Sequence, residues 1–597
     1  MKKIFKILFV FFMPFIVFSN DMEIRKKIEY LIMPDFRYWN IDENGKKKDF
    51  DVMNDEVREV IKSHNFNGII LFAQNVKETE QTLRLVDEIQ KASKKPMFIS
   101  IDQEGGIVTR LGTGTNFPGN MAIGATRNSK YSYEVGKAIG RELHVLGINT
   151  NLAPTIDVNN NAKNPVIGLR SFSSDPNIVA ELSNAMINGI KSQNVIAVAK
   201  HFPGHGDTAI DTHLGLASVD KSMKELEDME LLPFKKAIDS DIDMIMTAHV
   251  QLPQIEKDYF IAKNGDKIIY PSTISDDVIT GILRNKLGYN GVVITDALGM
   301  KAISDNLGPY EAMKLSINAG VDILLMPVSL HNMENVKELD MAIDKLVEAV
   351  KKGEISISRI DEAIARIDTL KAKRHIVKDE TNVDMRVEKA LKVIGSKEHR
   401  NLEREVAKNA ITVVKDKALK EMHRVLILGT DTSQRKVTDF AITRLFDEQK
   451  IPNIAYKFMI YGKDTKEIDI ISQAMDVDTI IVYGAMNNES ALNPESYRTK
   501  VPNMVAKLDG VQKIFVSINK PYDVTAHLDF DKVLIAYGFK GMDPTEVDGG
   551  IKAFGPNIPA ALEIIFTGEK AKGKLPVDLP FVENGKLTEK VQFNLVK

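Results

Sequence analysis

Residues Lys200 to His213 read Lys-His-Phe-Pro-Gly-His-Gly-Asp-Thr-Ala-Ile-Asp-Thr-His. The chain has 11 His, and three of them, His201, His205 and His213, fall in this one stretch. Asp211 and His213 close the stretch, one residue apart. Such a density of Lys, His and Asp is costly unless water, a ligand or the groups themselves satisfy it. The plain structural alternative is a solvated surface loop, which seldom concentrates His in this way. A zinc site would need further ligands, and the chain has no Cys to provide them, so no metal is expected. A second reactive group is Asp296, which ends the run Val292-Val293-Ile294-Thr295. A carboxylate at the end of a buried strand suits a nucleophile or an electrostatic stabiliser, and it suits a helix N-cap equally well.

These residues need elements to hold them. Val195 to Ala199 runs apolar into Lys200 and reads as a buried strand, and Pro203, Gly204 and Gly206 punctuate a loop after it. Seven more short apolar runs share that character: Ile28 to Met33, Gly68 to Phe72, Met97 to Asp102, Ile148 to Leu152, Met244 to His249, Gly291 to Asp296 and Ile323 to Pro327. Helical patterns such as Val57 to Ser63, Glu80 to Ala92 and Tyr131 to Leu146 lie between them. Repeated strand–helix alternation predicts parallel strands with crossover helices, and eight units predict a (β/α)8 barrel, with an open doubly wound sheet as the alternative. Asp102, Lys200 with His201, His249 and Asp296 each sit at a strand's C-terminal end. A barrel would collect them on one face.

A helix after Ser358, with Ser358 and Asp361 as its capping pair, should close this domain. Its Ile360, Ile364, Ile367 and Leu370 should face inward. The charged, aperiodic stretch Lys371 to Arg386 reads as linker. The domain bounds are then 20–375 for the barrel, 376–400 for the linker and 401–597 for a second domain. There, short strands at Val425 to Leu428, Ile480 to Tyr483, Ile514 to Ile518 and Val533 to Tyr537 alternate with helices such as Val437 to Glu448 and Asn503 to Leu508. The fold class is therefore α/β, a barrel followed by a smaller α/β sandwich with a largely parallel sheet. Gly429 follows a strand, but no G-x-G-x-x-G does, which removes nucleotide binding.

The pattern Lys-His-Phe-Pro-Gly-His-Gly-x-Thr followed by Asp-x-His resembles glycoside hydrolase family 3, in its β-N-acetylhexosaminidase (NagZ-type) branch. Thr295 to Met300 resembles the family's Thr-Asp-x-Leu-x-Met nucleophile motif, which implies that Asp296 is the nucleophile. Many members carry a second Asp where this chain has Ala297. The resemblance further implies that His213 is the acid/base and Asp211 its supporting carboxylate. Ile101 to Arg110 resembles Asp-Gln-Glu-Gly-Gly-Arg-Val-x-Arg, with Ile107 in place of an Arg, a change that bears on loop packing. Arg170-Ser171-Phe172 matches the family's Arg-Ser-Phe, with Ser173 at a usual Gly. Asp102, Arg110, Arg170, Lys200 and His201 are the implied sugar-binding residues, and these types hold donors and acceptors in fixed directions. Asp157 and His249 are supporting candidates with structural roles at least as expected. His205 belongs to the loop scaffold in the family's pattern, and Glu104, before Gly105 and Gly106, reads as a structural hydrogen-bond partner. Gly204 and Gly206 suggest a loop able to bring His213 to the bond. Gly573 to Pro580 resembles the ending of the family's second domain, so the likeness covers nearly the whole mature chain.

The 597 residues exceed one ordinary core, and 44% hydrophobic with 27% charged residues is a globular balance. A net charge of −3 gives no electrostatic case for nucleic acid or an anionic membrane, and the absence of Cys excludes disulfides. Lys2, Lys3 and Lys6 before the apolar run Ile7 to Phe18 read as a signal peptide over 1–19. Export to the periplasm or the cell exterior follows, with an uncleaved anchor as the alternative. The resemblance implies a retaining exo-β-N-acetylglucosaminidase, without cofactor, acting on peptidoglycan fragments or related amino-sugar oligosaccharides. The alternatives are a family 3 β-glucosidase, which usually takes its acid/base from the second domain and lacks Asp-x-His, a phosphorylase using the same nucleophile, and a cell-wall sugar-binding protein on an inactive barrel.

Overall fold

Each of the eight apolar runs holds a strand, and the strands pair in parallel in chain order. In the computed structural model, which describes residues 21–41, 45–208, 216–262, 265–542 and 553–593, they are β1 (Ile32–Met33), β2 (Gly68–Leu71), β3 (Phe98–Ile101), β4 (Thr150–Asn151), β5 (Ile196–Phe202), β6 (Met244–Thr247), β7 (Val292–Ile294) and β8 (Leu324–Leu325). Strands β2 to β7 form one continuous sheet, and β1 pairs with β8. Two parallel bridges, Asp35 to Ile70 and Ile294 to Ile323, join that pair to the two edges of the sheet. The ring is closed, so the barrel holds and the open sheet does not. Crossover helices include Asp55–Ser63, Thr79–Ala92, Ser129–Val145, Pro176–Lys191, Leu231–Asp239, the π-helix Asp277–Lys286 and Pro309–Ala319.

The strand expected over Ile28 to Met33 is a correction. Residues 21–29 are helical and only Ile32 and Met33 are strand. Ile24 and Ile28 are buried one helical turn apart, and after the single polar residue Glu29, itself buried, the chain runs apolar from Tyr30 into the strand, so its composition hides the boundary. The helix expected after Ser358 is Ile357–Lys373, with Ser356 rather than Ser358 at its N-cap. Ile360, Ile367 and Leu370 are buried, with Ile364 packed beside them. Lys371 belongs to this helix rather than to a linker. It is buried, and its ammonium donates to the carbonyls of Asn67 and Pro96 at the base of the barrel. Residues 376–400 hold a second helix, Val383–Val393, whose buried face is Val387, Ala390 and Val393.

The barrel base carries its own lock. Asp322, fully buried, accepts from Arg284 at 2.7 Å, Arg359 at 2.6 Å, Arg366 at 3.1 Å and the backbone N–H of Val293 at 2.9 Å. One carboxylate thus ties two helices, Asp277–Lys286 and Ile357–Lys373, to the β7–β8 seam. Removing one partner of a buried ionic cluster leaves the others uncompensated, so Asp322→Ala should lower unfolding stability by about 3–5 kcal/mol. Urea unfolding, with the m-value unchanged, measures this; a loss below about 1 kcal/mol would mean that water solvates the arginines adequately.

The second domain is a six-stranded sheet built from β9 (Thr412–Asp416), β10 (Arg424–Gly429), β11 (Ala455–Ile460), β12 (Thr479–Gly484), β13 (Gln512–Ser517) and β14 (Lys532–Ile535). Their order is β9-β14-β13-β12-β10-β11, parallel except for the antiparallel edge pair β9–β14. The two edge strands escape a sequence reading because Ala455–Ile460 alternates exposed with half-buried positions and Thr412–Asp416 ends in charge.

The two domains share a core. Met121, Ala122, Ala125 and Leu169 of the barrel pack in one buried cluster with Tyr522, Val577 and their neighbours. Polar contacts surround it. Ser173 Oγ donates to the Pro576 carbonyl at 2.6 Å, Lys520 Nζ to the Asn164 carbonyl at 2.6 Å, and Asn557 Nδ2 to the Pro118 carbonyl at 3.1 Å. Glu403 accepts from the N–H groups of Asn116 and Phe117, both at 3.0 Å.

Candidate active site

A cavity of about 670 Å³ opens at the C-terminal ends of the barrel strands. Its lining residues fall between Asp35 and His331, all in the barrel. Asp102, Arg110, Arg170, Lys200, His201 and Asp296 are all in its wall, together with Glu104 and His205.

The chemistry of that wall begins with two opposed charges brought by two strands on either side of β4. Asp102 directly follows β3, and Lys200 lies within β5; the ammonium donates to Asp102 Oδ1 at 2.8 Å and lies 2.7 Å from Glu104 Oε1. Arg170 grips Glu104 with two parallel bonds, Nε to Oε2 at 2.9 Å and Nη2 to Oε1 at 2.8 Å. Thr155 adds a third donor to Glu104, at 3.1 Å. Burial opposes the charge of Glu104, but Arg170 and Lys200 more than offset it and hold its carboxyl well below the usual carboxylate range. Burial likewise works against the cations, and the carboxylates around them hold Lys200 and Arg170 charged. Glu104 therefore has the structural role its sequence context indicates, as the counter-charge that orients Lys200 and Arg170. Arg110 reaches Asp102 only loosely, at 3.7 Å.

His201 is aimed by Asp157. The Asp157 carboxylate lies 2.7 Å from His201 Nδ1 and accepts from the N–H of His205, also at 2.7 Å. Burial raises the pKa of Asp157 and its contacts with His201 lower it, for a net depression. With Nδ1 engaged, His201 turns Nε2 toward Arg170, 3.3 Å away. Sequence reasoning left Asp157 as a supporting candidate; the structure shows what it supports.

Asp296 stands two residues beyond β7. Ala297 donates its N–H to Asp296 Oδ1 at 2.7 Å. Burial disfavours the charge, yet His249, His201, that N–H and Lys200 together depress the pKa, so Asp296 is ionised at neutral pH. His249 is not in the cavity wall. It is buried behind it, with Nδ1 at 2.9 Å from Thr273 Oγ1 and Nε2 at 3.0 Å from the Ala297 carbonyl. His205 is buried as well, and burial followed by repulsion from His201 pushes its pKa down to about 4, so its ring is neutral.

Asp211 and His213 lie outside the described residues. The stem before them is closely packed. Asn164 Nδ2 donates to the carbonyls of His205 and Gly206 at 2.8 and 2.9 Å. A Cβ on Gly206 would stand 1.7 Å from the Val158 carbonyl. Gly204 has φ of 137°. These glycines serve close backbone approach and an unusual backbone angle rather than the movement their residue type suggests.

Sequence reasoning missed one side of the cavity. Asp35, Arg37, Tyr38 and His331 line it from the first and last units of the barrel. Asp35 obeys the same rule that marks Asp102 and Asp296, a carboxylate at a strand's C-terminal end. Pro34 ends the apolar run one residue short of Asp35 and hides the signal.

The model of the glycosyl hydrolase family 3 N-terminal domain matches residues 23–370. The chain belongs to glycosyl hydrolase family 3. Beta-hexosaminidase A of Pseudoalteromonas piscicida is 33% identical over 579 residues, which covers 92% of this chain and 95% of that one. A beta-N-acetylglucosaminidase/beta-glucosidase of Cellulomonas fimi is 30% identical over 58% of this chain and 59% of its own length. Among solved structures, a glycoside hydrolase family 3 beta-N-acetylglucosaminidase from Paenibacillus sp. str. FPU-7 superposes with a TM-score of 0.76 at 30% identity, over 93% of this chain and 98% of the other. This family 3 chain is a glycoside hydrolase, and its departures from the family's pattern have visible partners. Ile107, in place of an Arg, packs against the apolar cluster shared by the two domains. Ser173, in place of a Gly, supplies the hydroxyl that holds Pro576. Ala297, in place of an Asp, leaves Asp296 as the carboxylate at the end of β7.

Proposed function

We propose that the protein is a retaining exo-β-N-acetylglucosaminidase that removes terminal β-linked N-acetylglucosamine from peptidoglycan fragments or related amino-sugar oligosaccharides. The observation that carries this reading is the ionised Asp296 in the wall of one cavity with the Asp102–Lys200–Glu104–Arg170–His201 network. Asp296 attacks the anomeric carbon and forms a glycosyl-enzyme as the leaving oxygen departs. His213, oriented by Asp211, gives that oxygen its proton and then takes one from the incoming water. Asp102, Arg110, Arg170, Lys200 and His201 hold the sugar hydroxyls in fixed directions, which keeps the anomeric carbon in line with Asp296. The reaction in this scheme requires no cofactor. The basic start and apolar run of residues 2–18 support export, to the periplasm or outside the cell, where peptidoglycan fragments are met.

The Cellulomonas relative carries both activities in its name, so the deciding assay compares leaving-group release from chromogenic β-N-acetylglucosaminide and β-glucoside, with and without phosphate. The expected result is a preference for the amino sugar of at least tenfold in kcat/KM, unchanged by phosphate, on the order of 1.4 kcal/mol in the transition state. Faster cleavage of the glucoside, or turnover that depends on phosphate, would overturn the reading in favour of a β-glucosidase or a phosphorylase.

A further inference from the structure

Asp35 is a carboxylate that the machinery above does not use. It is 1% exposed, yet neither of its oxygens has a hydrogen-bond partner. Arg37 is its nearest cation, at 4.0 Å, too far for a hydrogen bond, and that guanidinium is stacked on the Phe72 ring at 3.5 Å. Burial pushes its pKa up to about 6, against the opposing pull of the Arg37 charge and of the N–H groups of Arg37, Asp35 itself and Leu330, which do not reach hydrogen-bond geometry. A buried carboxyl group left without partners is unfavourable by several kcal/mol, and native structures satisfy such groups with water or ligand.

Its position says which ligand. Asp35 lies two residues beyond β1, as Asp296 lies two residues beyond β7, and both are in the wall of the same cavity. In a closed barrel, residues just past the strand ends ring one mouth. Asp35 therefore stands at the level of the reacting sugar. β1 borders β2 and β8, whereas Asp102 and Lys200 come from β3 and β5. The groups assigned above to the sugar thus hold one arc of the ring and Asp35 holds another.

We propose that Asp35 accepts a hydrogen bond from a ring hydroxyl of the terminal sugar, making it a further substrate-binding residue and one that reads whether that hydroxyl is free. This rests on the glycosidase reading above. Two free carboxylate oxygens suit hydroxyl donors, and a substituted oxygen at that place would leave the carboxyl group unpaired.

The test is a cycle of enzyme variants against deoxygenated substrates. kcat/KM is measured for wild type, Asp35→Asn and Asp35→Ala on the chromogenic glycoside that the wild type turns over, and on its 3-, 4- and 6-deoxy analogues. Asp35→Ala is expected to lose roughly 10- to 150-fold on the parent sugar and less than about threefold on one of the deoxy analogues, whose missing hydroxyl is the partner. The isosteric Asp35→Asn, checked for folding by circular dichroism, should show the same pattern with a smaller loss. An equal loss on every analogue would make Asp35 structural and overturn the proposal. So would a loss that grows with the basicity of the leaving group, which would make Asp35 a proton donor. If the wild type prefers glucosides, the amino-sugar reading falls, and the same cycle on deoxyglucosides still decides the role of Asp35.

Discussion

Asp296→Ala lowers kcat by on the order of 10⁴-fold or more, while the far-ultraviolet circular dichroism and the affinity for N-acetylglucosamine stay close to wild type. The magnitude follows from the role, since a nucleophile that is absent cannot be replaced by uniform binding energy. The fold survives because the side chain's hydrogen-bond partner is the neighbouring Ala297 N–H rather than a distant element. The depressed pKa of Asp296 has a kinetic corollary. The group is ionised throughout the working range, so an acidic limb in the pH profile of kcat/KM reports some other residue. Steady-state rates within tenfold of wild type, on a preparation shown to be free of contaminating hydrolase, would remove Asp296 from the reaction.

The second large effect belongs to His213, and its signature is a dependence on the leaving group. Protonation of the departing oxygen matters most when that oxygen is a poor leaving group. His213→Ala is therefore expected to lose about 10²- to 10⁴-fold on an alkyl or sugar leaving group. An activated aryl group departs with little help, so glycosylation by such a substrate should persist. The water-dependent second step should then limit turnover, and the glycosyl-enzyme on Asp296 should accumulate, visible as a mass increase. Azide needs no general base and should restore release as the β-glycosyl azide. Asp211→Asn keeps the ring and removes the charge that orients it, so its loss should be milder. Equal losses on good and poor leaving groups, without azide rescue, would make His213 structural.

Much of this was legible in the sequence, for identifiable reasons. Eight apolar runs lie at the eight barrel strands because a strand buried on both faces must be apolar throughout. Asp102, Lys200, His201 and Asp296 could be placed on one face because the barrel's geometry sends every strand end to the same mouth. Boundaries were less legible. Ile24, Ile28, Ile32 and Met33 are all buried, and nothing in their side chains marks where the helix over 21–29 gives way to β1. Asp35 is concealed at the other end of β1, where Pro34 ends the apolar run before it. Charge misled as well, since Lys371 spends its ammonium on two backbone carbonyls inside the barrel base rather than on solvent. Contacts across hundreds of residues have no local signature. Neither the packing of Ile107 against the cluster shared by the two domains nor the Ser173–Pro576 bond could be inferred from periodicity, although both positions stand out as departures from the family's pattern.

The shared core between the domains also sets a schedule for biosynthesis. The barrel's final helix ends at Lys373, whereas Val577 and the Pro576 carbonyl that Ser173 holds arrive far later in the chain. At ribosomal speeds of about 5–20 residues per second, the roughly 200 intervening residues take on the order of 10–40 s. Throughout that interval a nascent barrel carries Met121, Ala122, Ala125 and Leu169 on an uncovered apolar face. The strand ends that carry Asp102, Lys200, His201 and Asp296 are already translated by then, so the charged wall of the cavity exists in the chain before that apolar face has its cover. A chaperone that shields nascent chains, or the slow passage of an exported one, has its strongest reason to act in that window.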